Sequence, residues 1–268
     1  MANGAAIGWA LLLEYDGGPF VGWQRQKSGL SVQEVLETAA SRLTGGAPVA
    51  STVAGRTDAG VHASGQVARI ELPGDYAADR LREALNYHLL PHPVAVLAAS
   101  PAPPDWHPRF SATGRAYSYR ILDRGARPAL LAGRVWHVAH RLDAEAMHRA
   151  AQALIGRHDF SSFRASACQA KSPVRTLDRL DVRREGDLIE VVAEARSFLH
   201  RQVRNMVGTL KLIGEGSRDE QNLARVLAAR DRRLAGPTAP AHGLFLTGVR
   251  YQVDPFGEGR PTQARFVP

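Results

Sequence analysis

Cysteine is almost absent from these 268 residues, with Cys168 as the sole example. No intrachain disulfide can form and no multi-cysteine zinc site can be assembled, so Cys168 reads as a small, inert side chain. Lysine is nearly as scarce: Lys27, Lys171 and Lys211 stand among 34 basic residues. No apolar run reaches the ~20 residues that a bilayer crossing needs. The first such run, Ala5 to Leu13, has no positive residue ahead of it and no small-residue cleavage pattern behind it, so it does not read as a secretion signal. A soluble, cytoplasmic protein with no membrane partner is expected.

What is present looks globular. Hydrophobic residues at 44% and charged residues at 22% exclude a disordered tail, a collagen-like fibre and a disulfide-stapled miniprotein. At ~150 residues per domain the length corresponds to about 1.8 domains, one large or two modest. The formal charge is +8 and the sequence pI is near 10.2. Such an excess argues for a polyanionic partner, while an arginine- and alanine-rich genome would produce it too. Charge alone does not choose between these.

The first half alternates in type. Ile7 to Glu14 reads as a buried strand ended by Asp16-Gly17-Gly18-Pro19. Ser31 and Glu34 form a capping-box pattern before a helix with Val32, Val35, Leu36, Ala39, Ala40 and Leu43 on one face, closed by Gly45-Gly46. Val49 to Ala54 and Gly65 to Glu71 read as strands, Leu81 to Leu89 as a helix, and Val94 to Ala99 as a strand. This β-α-β-β-α-β order is ferredoxin-like. Proline at 101, 103 and 104 marks a boundary, giving expected domains 1–104 and 105–268. The order then returns: a strand from Ala116 to Leu122, a helix capped by Asp143, a strand pair (Leu177 to Arg183, Leu188 to Ala195) turning at Glu185-Gly186-Asp187, helices over Leu199 to Ile213 and Asp219 to Ala229, and a strand from Leu244 to Tyr251. An α+β chain of two such lobes is expected, with joined antiparallel sheets and a central cleft. The Gly- and Pro-rich tail after Asp254 reads as poorly ordered.

The densest chemistry lies in the fourteen residues from Ala54 to Val67. Gly55, Gly60 and Gly65, spaced by five, permit unusual backbone angles and close ligand approach. Between them stand Arg56, Asp58 and His62, in a loop after a strand, a common place for reactive groups. Metal hydrolysis needs several converging ligands, and a glycosidase needs a second carboxylate; neither is near in sequence. One carboxylate can act instead as a nucleophile at an activated carbon. An Asx-turn is the plainer use of Asp58. His62 reads as a residue that holds the backbone rather than one that moves protons.

The string from Gly55 to Ala63 resembles the signature of the tRNA pseudouridine synthase A family. Five other stretches agree in order: Tyr15 to Gln24, Arg109 to Tyr119, Asp159 to Phe163, Phe198 to Gly208 and Thr238 to Leu244. The resemblance spans roughly Leu13 to Tyr251 and implies a pseudouridine synthase fold. It implies isomerisation of uridine to pseudouridine at positions 38–40 of the tRNA anticodon stem-loop, in a homodimer, with no cofactor and no metal. By it, Asp58 is the nucleophile, with ribose C1′ and uracil C6 both open as the point of attack. Arg56 fills the place left by the uridine, which must leave its stack. Tyr117 packs on the extruded uracil, as aromatic rings do for unpaired bases, while Tyr119 is assigned to the core. Arg204 pairs with the nucleophile, and Arg201, one turn away, contacts phosphate. Phe198 could line the pocket, although an aromatic on such a helix is usually core. Arg25 and Lys27 belong to a basic surface for the RNA. Two other readings stand beside this one: an inactive tRNA-binding protein of the same fold, and an RNA N-glycosidase that releases the base.

Overall fold

In the first half, apolar runs too continuous for a one-sided sheet become strands buried on both faces. The computed structural model describes residues 6–257, and the chain divides into two compact units, Met1–Thr113 with Leu246–Pro268, and Gly114–Phe245. The first unit holds β1 (Ala6–Tyr15), α1 (Val32–Leu43), β2 (Ser51–Val53), β3 (His62–Pro73), α2 (Ala78–Leu89) and β4 (Val94–Pro101). Its strands are antiparallel: β1 lies between β4 and β3, and β2 pairs with β3. Trp9 to Leu13 are all buried. Successive side chains alternate across a sheet, so both faces of β1 are covered. Ala10 and Leu12 pack with Ala54, Val67, Trp106, Val249 and Phe256.

The helices follow their local signals. Ser31 caps α1, its Oγ accepting the Glu34 N–H at 3.2 Å, and Gly45 and Gly46 close it with φ of +67° and +97°. α2 packs on β4 and α1. It carries Asn86, whose side chain donates to the Val96 carbonyl at 2.9 Å and accepts from the Val96 N–H at 2.7 Å.

The second unit contains most of β5 (Ala112–Asp123), then β6 (Trp136–Val138), α3 (Ala144–Ala151), β7 (Gly156–Asp159), β8 (Val174–Glu185), β9 (Leu188–Ala195), α4 (Gln202–Gly214), α5 (Asn222–Ala229) and the start of β10 (Leu244–Tyr251). Its sheet runs β5-β9-β8-β7, with β6 parallel to β5. Ile189, Val191, Ala193 and Ala195 alternate into the core from β9. Asp143 caps α3 by accepting the Ala146 N–H at 2.9 Å. The β8–β9 hairpin turns at Gly186, φ +58°.

The class is therefore α+β, with five α-helices among the described residues. Four expectations change. α4 starts at Gln202 rather than Leu199, because Arg201 adopts a left-handed backbone, φ +61°. β3 begins at His62, inside the glycine-rich string. Two short strands, β6 and β7, were not expected, and β7 has no apolar residue to announce it. Phe256, in the segment read as poorly ordered, is buried against the core of the first unit; residues 258–268 of that tail lie outside the described residues.

Candidate active site

Asp58 sits in the connection between β2 and β3, and a second segment clamps that connection. The Trp23 N–H donates to the Thr57 carbonyl at 3.0 Å, and the Gly60 N–H donates to the Phe20 carbonyl at 3.4 Å. Gly22 forms an isolated antiparallel bridge with Asp58. Glycine is required for this approach: a Cβ at Gly22, φ +110°, would lie 2.7 Å from the Thr57 carbonyl oxygen, and one at Gly17 would lie 2.0 Å from that of Val61. The Val61 N–H closes the turn on the Asp58 carbonyl at 3.1 Å.

Buried polar groups brace the same loop. The Tyr15 and Thr57 hydroxyls hydrogen-bond at 2.8 Å. Gln66 Nε2 donates to the Gly55 carbonyl at 2.7 Å and to the Tyr15 oxygen at 3.3 Å. Burial pushes the Tyr15 hydroxyl up to about 12, against the lowering effect of its bonds to Thr57 and Gln66. His62 is fully buried; its Nδ1 accepts the Gly17 N–H at 3.0 Å and lies 3.1 Å from Asp16 Oδ1. This histidine holds backbone, as its sequence setting suggested. Thr57 is thus buried, Asp58 half-buried and Arg56 exposed.

The second unit carries the other candidates. Tyr117 on β5 is half-buried, with the Phe198 ring edge-on at 5.2 Å and 90°. Arg115, two residues earlier, donates from Nη1 to the Arg196 carbonyl at 2.6 Å and so fixes the chain just before Phe198. Tyr119 is fully buried. Its hydroxyl donates to the Pro240 carbonyl at 2.8 Å, and Trp136 stands edge-on to its ring at 6.2 Å. Burial pushes the Tyr119 hydroxyl far up, opposed by the field of Arg204.

Arg204, half-buried, is the third residue of α4. Its Nε donates to the Ala239 carbonyl at 2.8 Å, and the Ala239 N–H donates back to the Arg204 carbonyl at 3.1 Å. The 236–239 segment lies directly on the helix, since a Cβ on Gly208 would meet the Pro237 carbonyl oxygen at 1.7 Å. Asn205 ties in both other motifs: its Nδ2 donates to the Phe163 carbonyl at 2.8 Å, and its Oδ1 accepts from Thr238 at 2.7 Å. Three strings far apart in sequence therefore form one support beneath Arg204.

Asp58 and Arg56, with exposed Arg25 and Lys27, belong to the first unit, and Tyr117, Arg201 and Arg204 to the second. Arg201 is exposed and precedes α4, so it does not share a helical face with Arg204. The Arg25 N–H donates to Gln33 Oε1 at 3.1 Å. The sequence reading missed the supporting roles of Gly22, Arg115 and the Ala239 carbonyl; the positions of the glycines were the one available signal. Among the described residues, no three His, Cys, Asp or Glu side chains are grouped to hold a metal, and no helix is long and apolar enough to cross a membrane.

Asp58 thus lies in a clamped loop of one α+β unit, and the other unit carries a ring pair and a braced arginine. Residues 12–111 and 150–252 match the family described as tRNA pseudouridine synthase, and the chain belongs to that family. It is 69% identical over 249 residues to the tRNA pseudouridine synthase A of Acidiphilium cryptum, covering 92% of this chain and 98% of that one. The corresponding proteins of Paramagnetospirillum magneticum, 61% identical over 95% and 98% of the two chains, and of Rhodospirillum centenum, 62% over 91% and 99%, are also similar.

Proposed function

We propose that this protein isomerises uridine to pseudouridine at positions 38–40 of the tRNA anticodon stem-loop, with Asp58 as the nucleophile. The observation that carries this reading is the Gly55-to-Ala63 string in a chain of this family, its Asp58 half-buried in a loop whose backbone is clamped on both sides of the carboxylate. Substrate and product have the same atoms. The carboxylate adds to a carbon of the nucleoside, the N1–C1′ bond breaks, the uracil turns, C5 bonds to C1′, and the bond to the carboxylate breaks to return free Asp58. The C5 proton then leaves to water and N1 takes a proton, so the balance needs no oxidant, reductant or co-substrate.

The other residues follow from this. Half-buried Tyr117, with Phe198 edge-on, offers the face that an extruded uracil needs. Arg204, carried on α4 and held by Ala239, supplies positive charge that keeps the nucleophile ionised once water is excluded. Exposed Arg56 takes the place vacated in the RNA stack, and Arg201, Arg25 and Lys27 meet phosphates. We place the protein in the cytoplasm as a homodimer, and read its units as ferredoxin-like lobes. The antiparallel β4-β1-β3-β2 arrangement of the first unit supports that last reading.

The test uses tRNA tritiated at uracil C5. Wild type releases label to water, and Asp58→Ala lowers the rate by roughly 10³-fold or more, the scale seen when a covalent nucleophile is removed. Persistent release from Asp58→Ala would overturn the assignment. Absence of release from wild type would point to an inactive binding protein, and free uracil would point to an N-glycosidase.

A further inference from the structure

Within the second unit, a cavity of about 310 Å³ is lined by Arg157, Ser172, Arg175, Thr176, Arg196 and Ser197 along with Val174. Three arginines and three hydroxyl-bearing residues line it, and no carboxylate is among the lining residues. Other arginines of the same sheet are neutralised locally: Arg179 by Asp181 and Glu194, Arg183 by Glu190, Arg184 by Asp123. Among the described residues no carboxylate pairs with Arg157, Arg175 or Arg196. The Nε of Arg175 is buried with no hydrogen-bond partner among the described residues, although its Nη1 donates to the Ser172 and Val174 carbonyls at 3.0 and 2.6 Å.

Strand register brings Arg157, Thr176 and Arg196 together on one face. Arg157 on β7 pairs with Thr176 on β8, and the next residue, Leu177, pairs with Ala195 on β9, after which Arg196 continues. Arg157 and Arg196 therefore flank Thr176 across neighbouring strand positions, about 10 Å apart at the backbone. Two arginine side chains can close that span on one tetrahedral anion. Guanidinium forks match phosphate oxygens in geometry and charge.

We propose that this cavity is a subsite for a backbone phosphodiester of the bound RNA, read for its charge and not for its sequence. The proposal rests on the tRNA reading above. Two features favour a polymer's phosphate over a free one. Arg157, Arg196 and all three hydroxyl-bearing residues are exposed, which suits a passing chain rather than an enclosed small ion. Ser197 also directly precedes Phe198, whose ring stands against Tyr117, so a strand delivering its base to Tyr117 passes this rim.

The experiment measures affinity of the full-length protein for a tRNA anticodon stem-loop over a range of salt. Arg157→Gln/Arg196→Gln removes two exposed cations and leaves the half-buried Arg175 in place. Affinity falls about tenfold or more, and the slope of log K against log salt becomes shallower by about 1, the value for one phosphate no longer neutralised. KM rises while kcat at saturating RNA stays near wild type. Arg225→Gln, a charge already matched by Asp219 at 2.7 Å, has no such effect. An unchanged slope in the double variant, or equal weakening by Arg225→Gln, would overturn the subsite. Inorganic phosphate is titrated in parallel: tight binding that the double variant loses, with its RNA slope unaltered, assigns the cavity to a free anion and overturns the RNA reading. Tritium release judges the activity separately. An active wild type with an unaltered variant slope sinks the subsite alone, whereas an inactive wild type with a shallower variant slope upholds the subsite and sinks the isomerase.

Discussion

At Gly17 a single added carbon would collide with the backbone beneath Asp58. Its Cβ would lie 2.0 Å from the Val61 carbonyl oxygen, and main chain cannot yield as a flexible side chain does. Gly17→Ala is expected to destabilise the protein by about 1 to 3 kcal/mol, as overpacking does. Because the displaced segment carries Asp58, the proposed nucleophile, tritium release should fall much further than RNA affinity; an equal loss in both would contradict the clamp. Tyr15 bears on the same loop through its hydroxyl. Its hydroxyl titrates near 10 when unfolded and near 12 in the fold, so the folded state binds more protons between those values. Stability is then fully present below pH 10 and is lost as pH rises toward 12. Tyr15→Phe should cost about 1 to 2 kcal/mol at neutral pH by leaving Thr57 and Gln66 short of a partner, and should flatten the fall in melting temperature above pH 10. The string around Asp58 was legible because glycines, a carboxylate and an arginine are informative by type. The clamp was not, since Gly17 and Gly22 meet it only through folding.

Elements declared themselves in sequence wherever their signals were local. Ser31 and Glu34 marked the start of α1, Asp143 that of α3, and Leu244 to Tyr251, read as a strand, forms β10. β7 was hidden because Arg157, His158 and Asp159 are polar, and its strand character comes from pairing with β8. The start of α4 was misplaced because Leu199 fits the helical apolar spacing, yet Gln202 Oε1 accepts the Leu199 N–H at 2.8 Å in a turn before the helix. Between elements, the fully buried Asp123 at the end of β5 accepts from both Nη atoms of Arg184 on β8, at 2.8 and 2.7 Å, and from the Leu142 N–H at 2.9 Å. Burial works against its charge, but these donors prevail and hold the carboxyl below its usual range. The stability it contributes is present above the ordinary carboxylate pKa and disappears as pH falls through the lowered one. Asp123→Asn should cost about 3 kcal/mol by stranding part of a buried pair, and denaturant titrations below pH 4 should show a weaker pH dependence than wild type. Identical acid profiles would argue against the linkage.

Over the whole molecule the excess of +8 governs how RNA is held rather than what is done to it. Affinity for tRNA should fall steeply as salt rises, and Asp58→Asn should bind about as well as wild type, since it touches the reaction and not the phosphates. Salt-independent binding would remove the electrostatic account. The charge was legible from composition, but its division into neutralised and open arginines required the strand register. The first unit is also discontinuous in sequence, with Val249 and Phe256 packing on Ala10 and Leu12. A ribosome elongating at ~5–20 residues per second spends on the order of ten seconds making residues 114–245 before it reaches the strand that completes this core. The nascent chain thus carries Asp58 long before that loop has a finished floor to stand on, and the earliest domain to be translated is the last to close.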